Sequence, residues 1–243
     1  MKHLFVCIYV IFNCLTLNAQ VVRQQAYWLR LYARVKLDDK WSLQFEADER
    51  RFIQPDKQLQ FIAHTHLHRK FGKCTEGSVG MTFSAVRQGD FDVPEWRPFQ
   101  EFYVYLPLGK GVRLSHRLRT EQRWFHNYDK ISLIDGYNYK NRIRFRPQLD
   151  WKMSEHWALK LNDEVMYHIN DDFDQNRVFG GLEYRFDKHT SLELGYLWLY
   201  QKRSGGKGYY DRDNLRVTFY KDFEKKKAEQ TIKSHFERLI INF

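Results

Sequence analysis

Three groupings of side chains in this 243-residue chain could do chemistry. The largest is a set of arginines and glutamates at every second position, densest in VRLSHRLRTEQRWF (112–125). There Arg113, Arg117, Arg119, Glu121 and Arg123 alternate with Val112, Leu114, Leu118 and Trp124. Guanidinium and carboxylate groups on one face bind each other or select a passing anion. The second grouping is His64, His66 and His68, in HTHLH. Imidazole is a good ligand for zinc, copper or nickel, and alternate positions of a strand share a face. A strong site would also need a carboxylate, Cys or further His from elsewhere, and the spacing identifies none, so these three read as polar lining rather than a metal site. The third is Ser115 beside His116, with Asp163 and His168 further on. A serine nucleophile needs a histidine in hydrogen-bond reach, but adjacent strand residues point to opposite faces. No catalytic residue is assigned.

Positioning these groups requires strands. Segments of ten to thirteen residues alternate apolar and polar side chains through most of the sequence, a period of two. We read about twelve strands (ten as the alternative), near 25–37, 41–52, 59–71, 78–87, 97–108, 112–125, 138–151, 157–168, 176–186, 191–202, 213–223 and 232–243. Short turns such as Asp38-Asp39-Lys40, Gly109-Lys110-Gly111 and Asp187-Lys188-His189 separate some of them. Longer polar connections fall near 53–58, 88–96, 126–137, 169–175 and 203–212. Pro147 lies inside a clear strand, which implies a bulge or an edge position.

A soluble sandwich buries the apolar face, whereas a membrane barrel turns it to lipid and lines its lumen with polar groups. Here the polar face is heavily charged. Tyr27, Trp41, Phe71, Trp124, Trp151, Trp157, Tyr184 and Phe186 fall near strand ends, as interfacial girdles do. The expected fold is therefore all-β: a single transmembrane antiparallel barrel. Leu239, Ile241 and the aromatic carboxyl end Phe243 continue the alternation. The rivals are a lipid-modifying enzyme in the outer membrane and a soluble periplasmic ligand-binding barrel. The soluble rival requires apolar side chains inside and charged ones outside.

Counting outward from the turns gives registers. Pairing Leu108 with Val112 sets Glu101 opposite Arg119, and pairing Trp151 with Trp157 sets Arg144 opposite Glu164. Centres near 132 and 170 bring Glu121 to Arg144 and Arg177 to Glu164. The expected lumen network is thus Glu101, Arg119, Glu121, Arg144, Glu164 and Arg177, with Arg113, Arg117, Arg123, Arg142 and Arg146 as a positive surplus. It reads either as a plug that holds a closed barrel or as a narrow constriction favouring anions.

Met1–His3, the apolar run 4–17 and Leu17-Asn18-Ala19 form a secretory leader expected to be cut after Ala19, leaving 20–243 as the barrel. Cys7 and Cys14 leave with it, so Cys74 has no internal partner. The formal net charge is +10, but the arginines alternate along strands instead of clustering on a helix, which argues against nucleic acid. Expected partners are outer-membrane lipid and lipopolysaccharide, the barrel-assembly machinery and a small anionic solute. No cofactor is implied.

With Trp28, the Lys40–Glu46 hairpin, Arg50, Glu121-x-Arg123, Asn141-Arg142-x-Arg144, Glu164, Asn176-Arg177 and Gly195-Tyr196 in this order, the chain resembles a family of uncharacterised Gram-negative outer-membrane barrels common in Bacteroidota and known as a domain of unknown function. The resemblance spans roughly Ala26 to Phe223. It implies outer-membrane placement and a barrel, and it brings no activity or catalytic residues.

Overall fold

The computed structural model describes residues 21–169, 172–203 and 208–224. They form eleven strands: β1 (Val21–Lys36), β2 (Trp41–Phe52), β3 (Lys57–Lys70), β4 (Thr75–Gln88), β5 (Phe91–Gly109), β6 (Val112–Tyr128), β7 (Leu133–Lys152), β8 (Trp157–His168), β9 (Phe173–Arg185), β10 (Thr190–Lys202) and β11 (Tyr209–Glu224). Each pairs antiparallel with its sequence neighbour, and β1 closes on β11 to complete a barrel. Because the strand number is odd, the closing pair runs parallel, from Val21↔Tyr209 to Lys36↔Glu224. The expected leader at 1–19, the twelfth segment at 232–243 and the terminal alternation lie outside the described residues.

The side-chain arrangement is inside out. Leu118 and Phe145 are each 47% exposed on the exterior, whereas Arg119 is 3% and Glu121 0% exposed within. That ordering excludes the soluble barrel with an apolar interior. Exterior aromatics gather at both ends: Trp157 stacks edge-on against Tyr184 at 4.9 Å, and Trp124 meets Tyr139 at 4.8 Å near the other rim.

Two local features depart from the sequence reading. The long connections expected near 88–96 and 126–137 are mostly strand: only Gly89-Asp90 and 129–132 remain outside β4–β7. There the ladder continues through segments of mixed polar and apolar side chains that lack a clean alternation, so the period of two marks only part of each strand. Pro147 makes neither a bulge nor an edge. The β7–β8 pairing passes from Phe145↔Val165 to Gln148↔Asn162 with unchanged register, skipping Arg146 and Pro147. Pro98 in β5 does the same between Trp96↔Trp124 and Phe99↔Glu121. A proline lacks the donor that such a rung needs.

The β6–β7 turn is held by Asp129, whose Oδ1 accepts from the backbone N–H groups of Ile131 and Ser132 at 2.8 Å each. These bonds, the Ile131 bond first, favour the charged carboxylate and hold it below its ordinary range. A depressed folded value means the turn's contribution is present above the unfolded pKa and is lost as pH falls through the folded one. The amide resonances of Ile131 and Ser132 should therefore titrate with a midpoint below ~3.9. A midpoint at or above that value would show that the bonds do not form in solution.

Candidate functional site: the ion-paired lumen

Inward positions of β5–β8 carry a closed circuit of charges. Glu121 accepts from Arg144 Nη1 at 2.7 Å and from Arg142 Nε at 2.7 Å, and it pairs with Arg119 Nε at 2.8 Å. Arg144 turns its other edge to Glu164, with Nη2–Oε1 2.8 Å and Nε–Oε1 3.1 Å. Glu164 also takes Arg117 Nη2. Arg117 Nη1 and Arg119 Nη1 then donate to Glu101 Oε1 at 3.1 and 3.3 Å. The path Glu121–Arg144–Glu164–Arg117–Glu101–Arg119 returns to its start: three carboxylates and three guanidiniums in strict alternation. All six are buried. Alternation matters because an unpaired charge in a poorly hydrated interior is costly, and the planar guanidinium fork is well shaped to bridge two acids at once.

The circuit extends sideways. Arg142 Nη1 donates to Asp174 at 2.8 Å, and Arg123 Nε to Glu95 at 2.5 Å. Glu193 on β10 anchors a second cluster, taking Arg216 Nη2 at 2.8 Å and the Lys160 ammonium. Asp48 on β2 anchors a third, with Arg30 Nε at 2.6 Å and Arg50 Nη2 at 2.9 Å. By contrast, Arg34 and Arg212 hydrogen-bond to neutral groups, among them Gln44 and Gln24, with no carboxylate at ion-pair distance among the described residues. Arg146 lies opposite Arg117 in the β6–β7 pair, with no carboxylate at ion-pair distance among the described residues.

Aromatic rings fill the gaps. Arg119 stacks on Phe99 at 3.7 Å, Arg50 on Trp28 at 3.8 Å and Arg216 on Phe179 at 3.5 Å, placing each cation over a ring face. Arg177 of β9 also reaches over Trp28 of β1, at 5.3 Å. Side chains from separate walls therefore meet.

All six network residues expected from sequence face the lumen and take part. Glu101↔Arg119 and Glu164↔Arg177 pair in the expected register, the latter with Nη1–Oε2 at 3.7 Å. Two rungs are corrected by two residues: Arg144 sits opposite Met166, not Glu164, and Glu121 opposite Arg142, not Arg144. Trp151 pairs with Leu159 instead of Trp157, because the turn is centred on Glu155, one residue later than Ser154, with Lys152 opposite Ala158 and Met153 N–H donating to the Trp157 carbonyl. A two-residue slip keeps every side chain on its face, and arginine spans the diagonal. Arg117, expected only as surplus, is the bridge that closes the circuit. Asp174 and the inward rings were not anticipated.

Ser115 is buried within, its Oγ 3.5 Å from the Gln148 carbonyl. His116 lies outside, stacked on Phe145. The two point apart, as adjacent strand residues must. Asp163 on the exterior accepts from Asn176 at 2.6 Å, and His168 Nε2 is 3.6 Å from Asp174. His64, His66 and His68 all line the lumen, with His66 and His68 stacked at 5.5 Å.

The family model described as a protein of unknown function, DUF2490, matches residues 25–210. The chain belongs to this family. An uncharacterized protein of Methylorubrum extorquens is 32% identical over 110 residues, which is 42% of this chain and 46% of that protein. This chain therefore matches less than half the length of that relative. Among solved structures, the NanC porin is similar in fold, with a TM-score of 0.53 at 13% identity, covering 81% of this chain and 96% of that one. The DUF2490 chain is thus a closed, porin-like β-barrel.

Proposed function

We propose that this DUF2490 protein is a non-enzymatic outer-membrane barrel, exported by the leader at 1–19, whose lumen is shut at rest by an ion-paired plug. The carrying observation is the closed alternation of Glu121, Arg144, Glu164, Arg117, Glu101 and Arg119. Small barrels of ~8 strands are filled by side chains, and open channels need ~16; eleven strands with three buried charge clusters fall nearer the filled case. Once opened, the path would favour small anions, because Arg34, Arg146 and Arg212 line it with no carboxylate at ion-pair distance among the described residues. The apolar exterior and its two aromatic girdles suit lipid and lipopolysaccharide, and insertion would use the barrel-assembly machinery.

Conductance tests the plug. In planar bilayers, refolded wild-type protein should pass almost no current. The double variant Arg144→Ala plus Glu164→Ala, which removes one charge of each sign, should open steps whose reversal potential favours anions. A stably open wild type would sink the plug, and cation preference in the opened variant would sink the anion clause.

A further inference from the structure

The sequence left the lumen histidines without a third ligand, and the fold supplies one from β5. His66, His68 and Glu101 each offer one ligand atom, and all three atoms lie within 4.8 Å of one another. All three residues are buried, His66 and His68 at 2% exposure. We propose that they form a binding site for a divalent transition-metal ion of the zinc class inside the barrel.

The carboxylates around the rings are arranged as such a site needs. A ligating imidazole usually donates its other ring N–H to a carboxylate, which fixes the tautomer and leaves the metal-facing nitrogen bare. His68 Nδ1 is 2.7 Å from Glu76 Oε1, leaving Nε2, a buried atom with no hydrogen-bond partner. His66 has a carboxylate beyond each ring nitrogen, without the short bond that fixes His68. Its Nε2, also without a hydrogen-bond partner, looks toward Glu46 Oε1 at 3.5 Å, while Nδ1 faces Glu101 Oε2 at 3.3 Å. That last distance is long for an N–H···O bond. It is close to the ~3.3 Å between two ligands of a tetrahedral zinc ion with bonds of ~2.0–2.1 Å.

Glu101 divides its two oxygens between separate tasks. Oε1 takes Arg117 and Arg119, while Oε2 faces His66, Ser78 and Tyr103. An ion at Oε2 would therefore leave the arginine circuit intact. Two imidazoles with one carboxylate suit zinc, copper or nickel better than magnesium or calcium, which prefer all-oxygen sets. His64 lies next in the row, its ring 5.7 Å from that of His66, but its Nδ1 is engaged by Thr82 Oγ1 at 2.7 Å and it is not among the converging ligands.

The test uses untagged full-length barrel, refolded in detergent and stripped with EDTA, then titrated with Zn²⁺ against a chromophoric chelator. One ion per barrel is expected. Glu76→Gln should weaken binding by about 10–100-fold, His66→Ala or His68→Ala by more, and His64→Ala should leave it unchanged. No stoichiometric binding to wild type, or binding that survives His66→Ala with His68→Ala, would overturn the site. If those variants do not refold, Cu²⁺ EPR of wild type decides: nitrogen couplings from two imidazoles support the site, and their absence overturns it.

Discussion

Glu121→Gln is expected to destabilise the barrel by about 3–5 kcal/mol, the scale for removing one partner of a buried ion pair. The carboxylate is fully buried and serves Arg119, Arg142 and Arg144 together. Glutamine keeps the shape but removes the charge, and it turns one acceptor into a donor aimed at guanidinium donors. Three cations would then share an interior that has lost the acid between them. Arg146→Gln is the contrast: it removes a cation with no carboxylate at ion-pair distance and should be neutral or stabilising. Urea unfolding from lipid vesicles, followed by tryptophan fluorescence, compares the two. If Glu121→Gln falls within about 1 kcal/mol of wild type, the circuit is not the structural centre of the barrel.

Gly80→Ala should cost about 1–3 kcal/mol or more, the range for overpacking a filled interior. Gly80 lies directly opposite Phe99 in the β4–β5 ladder. A Cβ there would overlap the Phe99 ring, whose Cε2 would stand 2.8 Å away, and also the Thr65 carbonyl oxygen. The ring can tilt, but the carbonyl belongs to the β3 backbone and gives only if the strands part. The ring is also the platform under Arg119, so its displacement would disturb the charge circuit. Adding Phe99→Leu should recover only part of the loss, since the clash with Thr65 stays. Wild-type unfolding midpoints for Gly80→Ala would rule out this packing account.

The two variants touch features that were unequally visible in the amino-acid order. Face assignment was legible because strand period is two and the charged face is dense: Arg117, Arg119 and Glu121 had to point away from Leu118. The identity of the six network residues followed from that parity, and it survived the slipped rungs at Arg144 and Glu121 because arginine reaches diagonally. Exact rungs depend on how many residues each turn consumes, which 153–156 does not reveal. The inward rings escaped notice for another reason. Trp28, Phe99 and Phe179 occupy lumen positions where polar groups were expected, and for the two phenylalanines the signal was the glycines beside them. Gly80 faces Phe99, and the paired Gly181 and Gly195 both lie under the Phe179 ring. A strand glycine often marks such a close approach. Glu101 as a histidine neighbour depends on β3 and β5 meeting across β4, a contact between strands that are not adjacent.

The parallel seam between β1 and β11 has a topological consequence. In a barrel with an even number of strands, the first and last strands point oppositely and the chain enters and leaves at one rim. Here Val21 sits beside Tyr209, and Glu224 beside Lys36. The described chain therefore starts at one mouth and ends at the other. Joining Val21 to Glu224 covalently would require a connector running the height of a sixteen-residue strand, at ~3.3 Å per residue along its path. Among the described residues, closing the seam covalently therefore means crossing the full height of the wall, which a barrel with an antiparallel seam avoids.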